Sequence, residues 1–232
     1  MPIAEFSMAN ASPAAWHFDE PKKNATGQGF NVNVGTVAHG GPDDKPTFQL
    51  IEAMQVPFGL EDGPEAKSRK KMELSIGRDS PIIQVAQRID EFVVQYTTRK
   101  SVEFFKKQMT EDQVRTLFRP TVTLPEDPTR RALMRVKVNA EESKRPTNVL
   151  VALNERQYAQ GKLADIQQGC SMKVIFEIGG IWYAAKSFGV TLVAKNVLVY
   201  ASKRGACAGI DDFSLPAGME LVPAPAPAAA LV

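Results

Sequence analysis

The sequence predicts a mainly β protein, an antiparallel sheet or barrel interrupted by a helical insert, and three observations carry that prediction. From Gly169 to Tyr200 the chain reads as consecutive strands with almost no connecting loop: Met172, Val174, Phe176 and Ile178 alternate with Lys173, Ile175 and Glu177, the period-2 pattern of a strand with one buried face. In the last strand Val190, Leu192 and Ala194 share a face until Lys195-Asn196 breaks the alternation and Val197 and Val199 resume it. One extra residue in the period predicts a β-bulge, which bends a strand around a barrel corner. Upstream, Ile82, Val85, Ile89, Phe92 and Val93 recur at helical spacing, an apolar stripe that no strand accounts for.

In chain order, residues 1–47 are rich in Ala, Asn, Gly and Pro without a sustained period and read as a flexible arm, in which Phe30-Asn31-Val32-Asn33-Val34 offers an edge strand. Phe48–Val56 reads as a strand and Lys71–Ile76 as its partner, across a polar loop containing KSRKK. Ser80-Pro81 opens a helix, since serine caps well and proline is tolerated in the first turn. Thr110-Glu111-Asp112-Gln113 is a capping-box pattern that starts a short helix through Leu117, so the helical insert covers about 81–118. Strands follow at Pro120–Leu124, Ala132–Asn139 and Asn148–Leu153, then a turn or short helix at Leu163–Ile166. Gly179-Gly180 reads as a tight turn, Ile181-Trp182-Tyr183 as a restart and Phe188 as the beginning of a long strand. The ordered domain is expected over 48–213, with 214–232, ending in PAPAPAAALV, as an extended Pro/Ala-rich tail.

Composition narrows the function. The chain has 232 residues, 44% of them apolar, without an apolar run of membrane-spanning length or a basic-then-apolar leader, so an intracellular protein with no membrane partner is expected. Cys170 and Cys207 fit neither a zinc nor a redox spacing and read as structural thiols. The formal net charge of +2 hides an asymmetry: twelve Lys and Arg face five acids between Arg131 and Arg204. A basic β-rich half suits a polyanion, although a solvated mixed-charge surface has the same composition.

Catalytic signatures are missing. His17 and His39 both fall in the arm, and the phosphate-loop, nucleophile-elbow and zinc-protease patterns do not occur. Asp211-Asp212 reads as an acidic turn rather than a cation site, and no enzyme activity, cofactor or metal is expected. What remains is aromatic and basic residues on strands, the types needed to stack bases while neutralising phosphates. Arg135 and Lys137 share the face opposite Met134, Val136 and Val138; Lys173, Lys186 and Lys195 flank the Trp182-Tyr183 hairpin; Lys203 and Arg204 follow it. Alternation exposes only one of Trp182 and Tyr183. The larger indole is expected in the core and Tyr183 on the binding surface.

Several separated motifs, QVPFGLE (Gln55–Glu61), KMELSIG (Lys71–Gly77), SVEFFKKQMTEDQVRTLFRPTV (Ser101–Val122), RALMRVKVN and QQGCSMKVIFEIGGIWYAAKSFGVTLVAKNVLVY, resemble the single-stranded-DNA-binding-like proteins of large DNA viruses of algae and amoebae. The resemblance spans about Phe48–Phe213 and implies an OB-type barrel similar to phage DNA-binding replication proteins. It implies a non-enzymatic protein that binds single-stranded DNA in viral replication, recombination or repair, at the site of viral DNA replication in the host nucleus or cytoplasm. Replication proteins are the protein partners this reading expects, and a homo-oligomer is compatible with it, although the sequence does not give the oligomeric state. The uncharged C-terminus departs from the acidic tail common in such binders, and Asp211-Asp212-Phe213 only echoes it. A virion or structural protein that uses the same barrel for contacts with capsid proteins is the alternative.

Overall fold

The computed structural model describes residues 16–24, 29–36, 45–49, 52–62, 69–154 and 157–200. In chain order the strands before the helices are β1 (Trp16–Phe18), β2 (Lys22–Lys23), β3 (Gly29–Val32), β4 (Val34–Thr36), β5 (Thr47–Gln49), β6 (Met54–Gln55), β7 (Leu60–Asp62) and β8 (Arg69–Ile76). Helices α1 (Pro81–Arg99), α2 (Ser101–Phe105) and α3 (Glu111–Leu117) follow. The remaining strands are β9 (Phe118–Arg119), β10 (Val122–Thr123), β11 (Ala132–Asn139), β12 (Asn148–Ala152), β13 (Tyr158–Gln160), β14 (Ser171–Ala184) and β15 (Ser187–Tyr200). A 3-10 turn at Leu163–Asp165 stands where the sequence predicts a turn or short helix.

Five strands close into a ring. β6 pairs with β8, β8 with β11, β11 with β15, β15 with β14, and β14 returns to β6; all these pairs are antiparallel except β11–β15, which is parallel. This is an OB-type barrel with a helical insert between its second and third strands. Closure removes the exposed edges that an open sheet would present. Alternation sends Met72, Leu74, Ile76, Met134, Val136, Val138, Phe176, Ile178, Leu192 and Val197 inward, and all are buried.

The predicted bulge at Lys195 is present: Ile175 faces Asn196 and Phe176 faces Ala194, so Lys195 is the additional residue. The predicted turn at Gly179-Gly180 is not. β14 runs unbroken from Ser171 to Ala184, and Gly179 is the extra residue of a second bulge, between Ile178↔Leu192 and Gly180↔Thr191. Gly180 has φ +147°, and a Cβ there would lie 2.5 Å from the Val32 carbonyl, so the glycine lets β3 close against the bulge. The period-2 signal therefore belongs to two long strands, not three.

The helical insert follows its local chemistry except at Ser80, which occupies the N-cap position of α1 without a side-chain capping hydrogen bond. Ile82, Val85, Ile89 and Val93 form the buried stripe of α1, whose first turn holds Pro81. Thr110 and Gln113 make both bonds of the capping box that starts α3. Lys106, with φ 59°, ends α2 at the FFKK sequence.

The reading of residues 1–47 as a flexible arm is corrected over the described residues 16–24 and 29–36. Phe30, Asn31 and Val32 do pair with β14, as the edge-strand pattern suggests, but Trp16 is also buried against Phe92, with ring centroids 5.7 Å apart, and Phe18 stacks on Tyr96 at 4.1 Å. Their partners lie more than seventy residues away on α1, and a three-residue strand is too short to give a sequence period. The last three residues of KSRKK, Arg69, Lys70 and Lys71, belong to β8 rather than to a loop, and Lys67 and Ser68 lie outside the described residues. Lys203, Arg204, Cys207, Asp211-Asp212, His39 and the Pro/Ala tail lie outside the described residues.

Candidate nucleic-acid interface

The outward faces of the barrel's second and third strands form a cationic ladder. Since Met72 and Leu74 point inward, Arg69, Lys71 and Glu73 point outward; the same alternation on β11 turns out Arg135 and Lys137. Antiparallel register sets Lys71 directly opposite Lys137 and Glu73 opposite Arg135. Like charges facing each other across a ladder repel, and the Glu61 carboxylate at 2.6 Å from Lys71 offsets part of that repulsion.

Arg69, Lys71, Arg135 and Lys137 line one side of a cleft of about 290 Å³. Arg119, Pro120 and Thr121 form another wall, and Trp182 with Val190, Thr191 and Leu192 completes it. Six cations border the cleft: Arg69, Lys70, Lys71, Arg119, Arg135 and Lys137. Carboxylates pair with several of them, Lys71 with Glu61 at 2.6 Å, Lys70 with Asp62 at 2.8 Å and Arg135 with Glu73 at 2.8 Å, and Arg69 and Lys137 have partners as well. Such partly exposed pairs are worth about 0–1 kcal/mol each, so an incoming anion can exchange for the carboxylate at little cost. The Arg119 side chain makes no ion pair or hydrogen bond among the described residues.

The Phe118–Thr123 wall is fixed from behind by α1. Asp90 accepts hydrogen bonds from the Thr121 backbone N–H at 2.9 Å and from the Thr121 hydroxyl. Burial pushes the Asp90 carboxyl up to about 6, against the lowering effect of those two bonds. Among the described residues no three His, Cys, Asp or Glu side chains gather into a group able to hold a metal.

The aromatic assignment is reversed from the sequence expectation. Tyr183 is 2% exposed, with its ring stacked on Phe30 at 4.6 Å and on Phe188 at 5.3 Å. Its hydroxyl shares a 2.9 Å hydrogen bond with Thr97, and burial raises its phenol pKa. Size is a poor guide here: one polar atom is satisfied by one buried threonine, while the helical insert supplies the other rings around Tyr183. Trp182 is half-buried on the outward face, with its indole across Gly189. A Cβ at Gly189 would approach the indole to 3.1 Å and the Arg119 carbonyl to 3.0 Å, so the glycine leaves room for a flat ring.

Of the predicted basic residues, Arg135 and Lys137 line the cleft. Lys173 does not: it is buried opposite Leu198, nine residues from Trp182, or about 30 Å of strand, and so is withdrawn from any binding surface. Lys186 is exposed at the β14–β15 turn and Lys195 is exposed at the bulge, both outside the cleft. Sequence reasoning missed Arg69 and Lys70 by treating them as loop, and it placed Lys71 on a strand without assigning it to the site. It also missed Arg119, whose FRP context gives no period.

Fold and cleft thus define an OB-type barrel with a basic, aromatic-bordered groove on its second and third strands, the face such barrels use for oligomeric ligands. The chain belongs to the family described as a family of unknown function (DUF5871), whose model matches residues 65–208. Among solved structures it is similar to gp2.5, a single-stranded DNA binding protein encoded by bacteriophage T7, at 15% identity and a TM-score of 0.43, covering 70% of this chain and 91% of that one. It is also similar to the single-stranded DNA-binding protein from bacteriophage Enc34, at 10% identity and a TM-score of 0.39, covering 84% and 96%. The same phage protein in complex with ssDNA gives 13% identity, a TM-score of 0.40 and coverage of 79% and 95%. No curated protein matches.

Proposed function

We propose that this protein is a non-enzymatic binder of single-stranded DNA with little sequence preference, and that the β8–β11 cleft is its binding groove. The observation that carries this reading is the outward Lys71–Lys137 pair within a six-cation cleft that Trp182 borders. Cations along the ladder would neutralise phosphates and release counterions, while the indole would stack on a base face that duplex DNA keeps covered. Every base has such a face, so binding of this kind is tolerant of sequence. The setting we propose is replication, recombination or repair of a large viral DNA genome, as the motif resemblance implies.

Fluorescence anisotropy with a labelled oligothymidine at two salt concentrations tests the proposal. Affinity should fall steeply with salt, and Lys71→Ala/Lys137→Ala should reduce the log–log salt slope by about 1.4, two phosphates at ~0.7 each on a single strand. No binding by the wild type at low salt would overturn the reading and favour a barrel used for protein contacts. An unchanged slope in the double variant would move the groove elsewhere.

A further inference from the structure

We infer that the N-terminal β2–β3 hairpin extends the groove past Trp182, with Asn31 and Lys22 as further contacts for the strand; this inference rests on the single-strand reading above. The register carries it. Lys22 faces Asn31, Asn31 faces Trp182, Trp182 faces Gly189, and Gly189 pairs in parallel with Arg119. Directly paired residues share a sheet face, so Lys22, Asn31, Trp182 and Arg119 form one outward row across five strands, about 19 Å at ~4.8 Å per strand.

The hairpin is held in place, so the row is preformed. Phe30 and Val32, on either side of Asn31, pair with Tyr183 and Ile181; Val32 is fully buried, and Phe30 stacks on Tyr183. With both neighbours turned inward, the exposed Asn31 faces out beside the indole. Lys22 is exposed, and neither it nor the Asn31 side chain has a hydrogen-bond or ion-pair partner among the described residues. One side of Trp182 thus leads to Arg119 and the cleft, and the other to an amide and then an ammonium group. A base on the indole would place its neighbouring backbone over this second half, where Asn31 can donate or accept and Lys22 can neutralise one phosphate. The hairpin lies outside the stretch that the family model matches.

The test uses the full chain and labelled oligothymidines of increasing length. For lengths that reach beyond Trp182, Lys22→Ala/Asn31→Ala should weaken binding by about threefold per lost phosphate contact and lower the salt slope by about 0.7; the shortest oligomers should bind as to the wild type. Lys22→Glu should weaken long oligomers further. Both residues are exposed, so thermal melts should match the wild type and exclude misfolding. Wild-type affinity and slope at every length in both variants, alongside weakened binding by Lys71→Ala/Lys137→Ala, would overturn this inference and leave the cleft standing. Absence of binding by the wild type would overturn both.

Discussion

Trp182 and Tyr183 are adjacent in the chain but should fail in different assays when substituted. Tyr183→Ala removes a fully buried ring, and aromatic-to-alanine changes in a core cost about 3–5 kcal/mol. It also strands the Thr97 hydroxyl, which has no exposure, for about 1–3 kcal/mol more. Against a total stability of about 5–15 kcal/mol, that is enough to unfold much of the population. Tyr183→Phe keeps the ring and loses only the bond, so about 1–3 kcal/mol should disappear, lowering the melting temperature by roughly 2–12 °C for a domain of this size with oligonucleotide affinity unchanged. Trp182→Ala should do the opposite: a modest loss of stability, because the indole is only half-buried, and about 1–3 kcal/mol of affinity, roughly 5- to 150-fold, if it carries a stacked base. Thermal denaturation and anisotropy titration on all three variants decide it. A Tyr183→Phe protein that melts normally yet binds poorly, or a Trp182→Ala protein with wild-type affinity, would refute the assignment.

Asp90 has a folded pKa of about 6 against an ordinary 3.8, so its contribution to stability is fully present below about pH 4 and is lost as pH rises through about 6, on the order of 2–3 kcal/mol. Asp90→Asn should therefore flatten the decline in melting temperature over that window and melt higher than the wild type at pH 7; parallel profiles for the two proteins would contradict it. Glu61→Gln/Asp62→Asn frees Lys71 and Lys70 from their carboxylates and should tighten single-strand binding by about two- to fivefold per pair, measured at low salt. Weaker binding by that variant would mean that the acids position the lysines rather than compete for them.

How much of this was legible in the sequence depended on whether a residue's partner was local. The bulge at Lys195, the capping box at Thr110 and the outward Arg135–Lys137 pair follow from periods and short spacings, and the structure has all three. The exposed member of the Trp182–Tyr183 pair did not follow. Alternation fixes only that the two differ, and the choice depends on Thr97 and Phe104, contributed by the helical insert. Residues 16–24 and 29–36 failed for the same reason: Trp16, Phe18 and Phe30 find their partners at Phe92, Tyr96 and Tyr183. The cleft was half legible. Arg135 and Lys137 were visible on one strand, whereas Lys71 becomes their neighbour only when β8 pairs with β11.

The arrangement joins stability and binding through one strand. Every inward residue near the end of β14 is held: Ile181 against Val32, and Tyr183 between Phe30, Phe104 and Phe188. Trp182 has no choice of face once its two neighbours are buried, and Gly189 gives its ring a flat seat beside Arg119. An indole already fixed loses less freedom when a base stacks on it than one on a mobile loop would, and that saved entropy appears as affinity. The same rings pin the N-terminal hairpin and the helical insert to the barrel. A cavity opened under Tyr183, unlike loss of the hydroxyl alone in Tyr183→Phe, would therefore loosen the Trp182 platform, the Asn31 row and the packing of α2 together, so binding and stability should fall in parallel, while losses at Lys71, Lys137 or Lys22 should change stability by no more than about 1 kcal/mol.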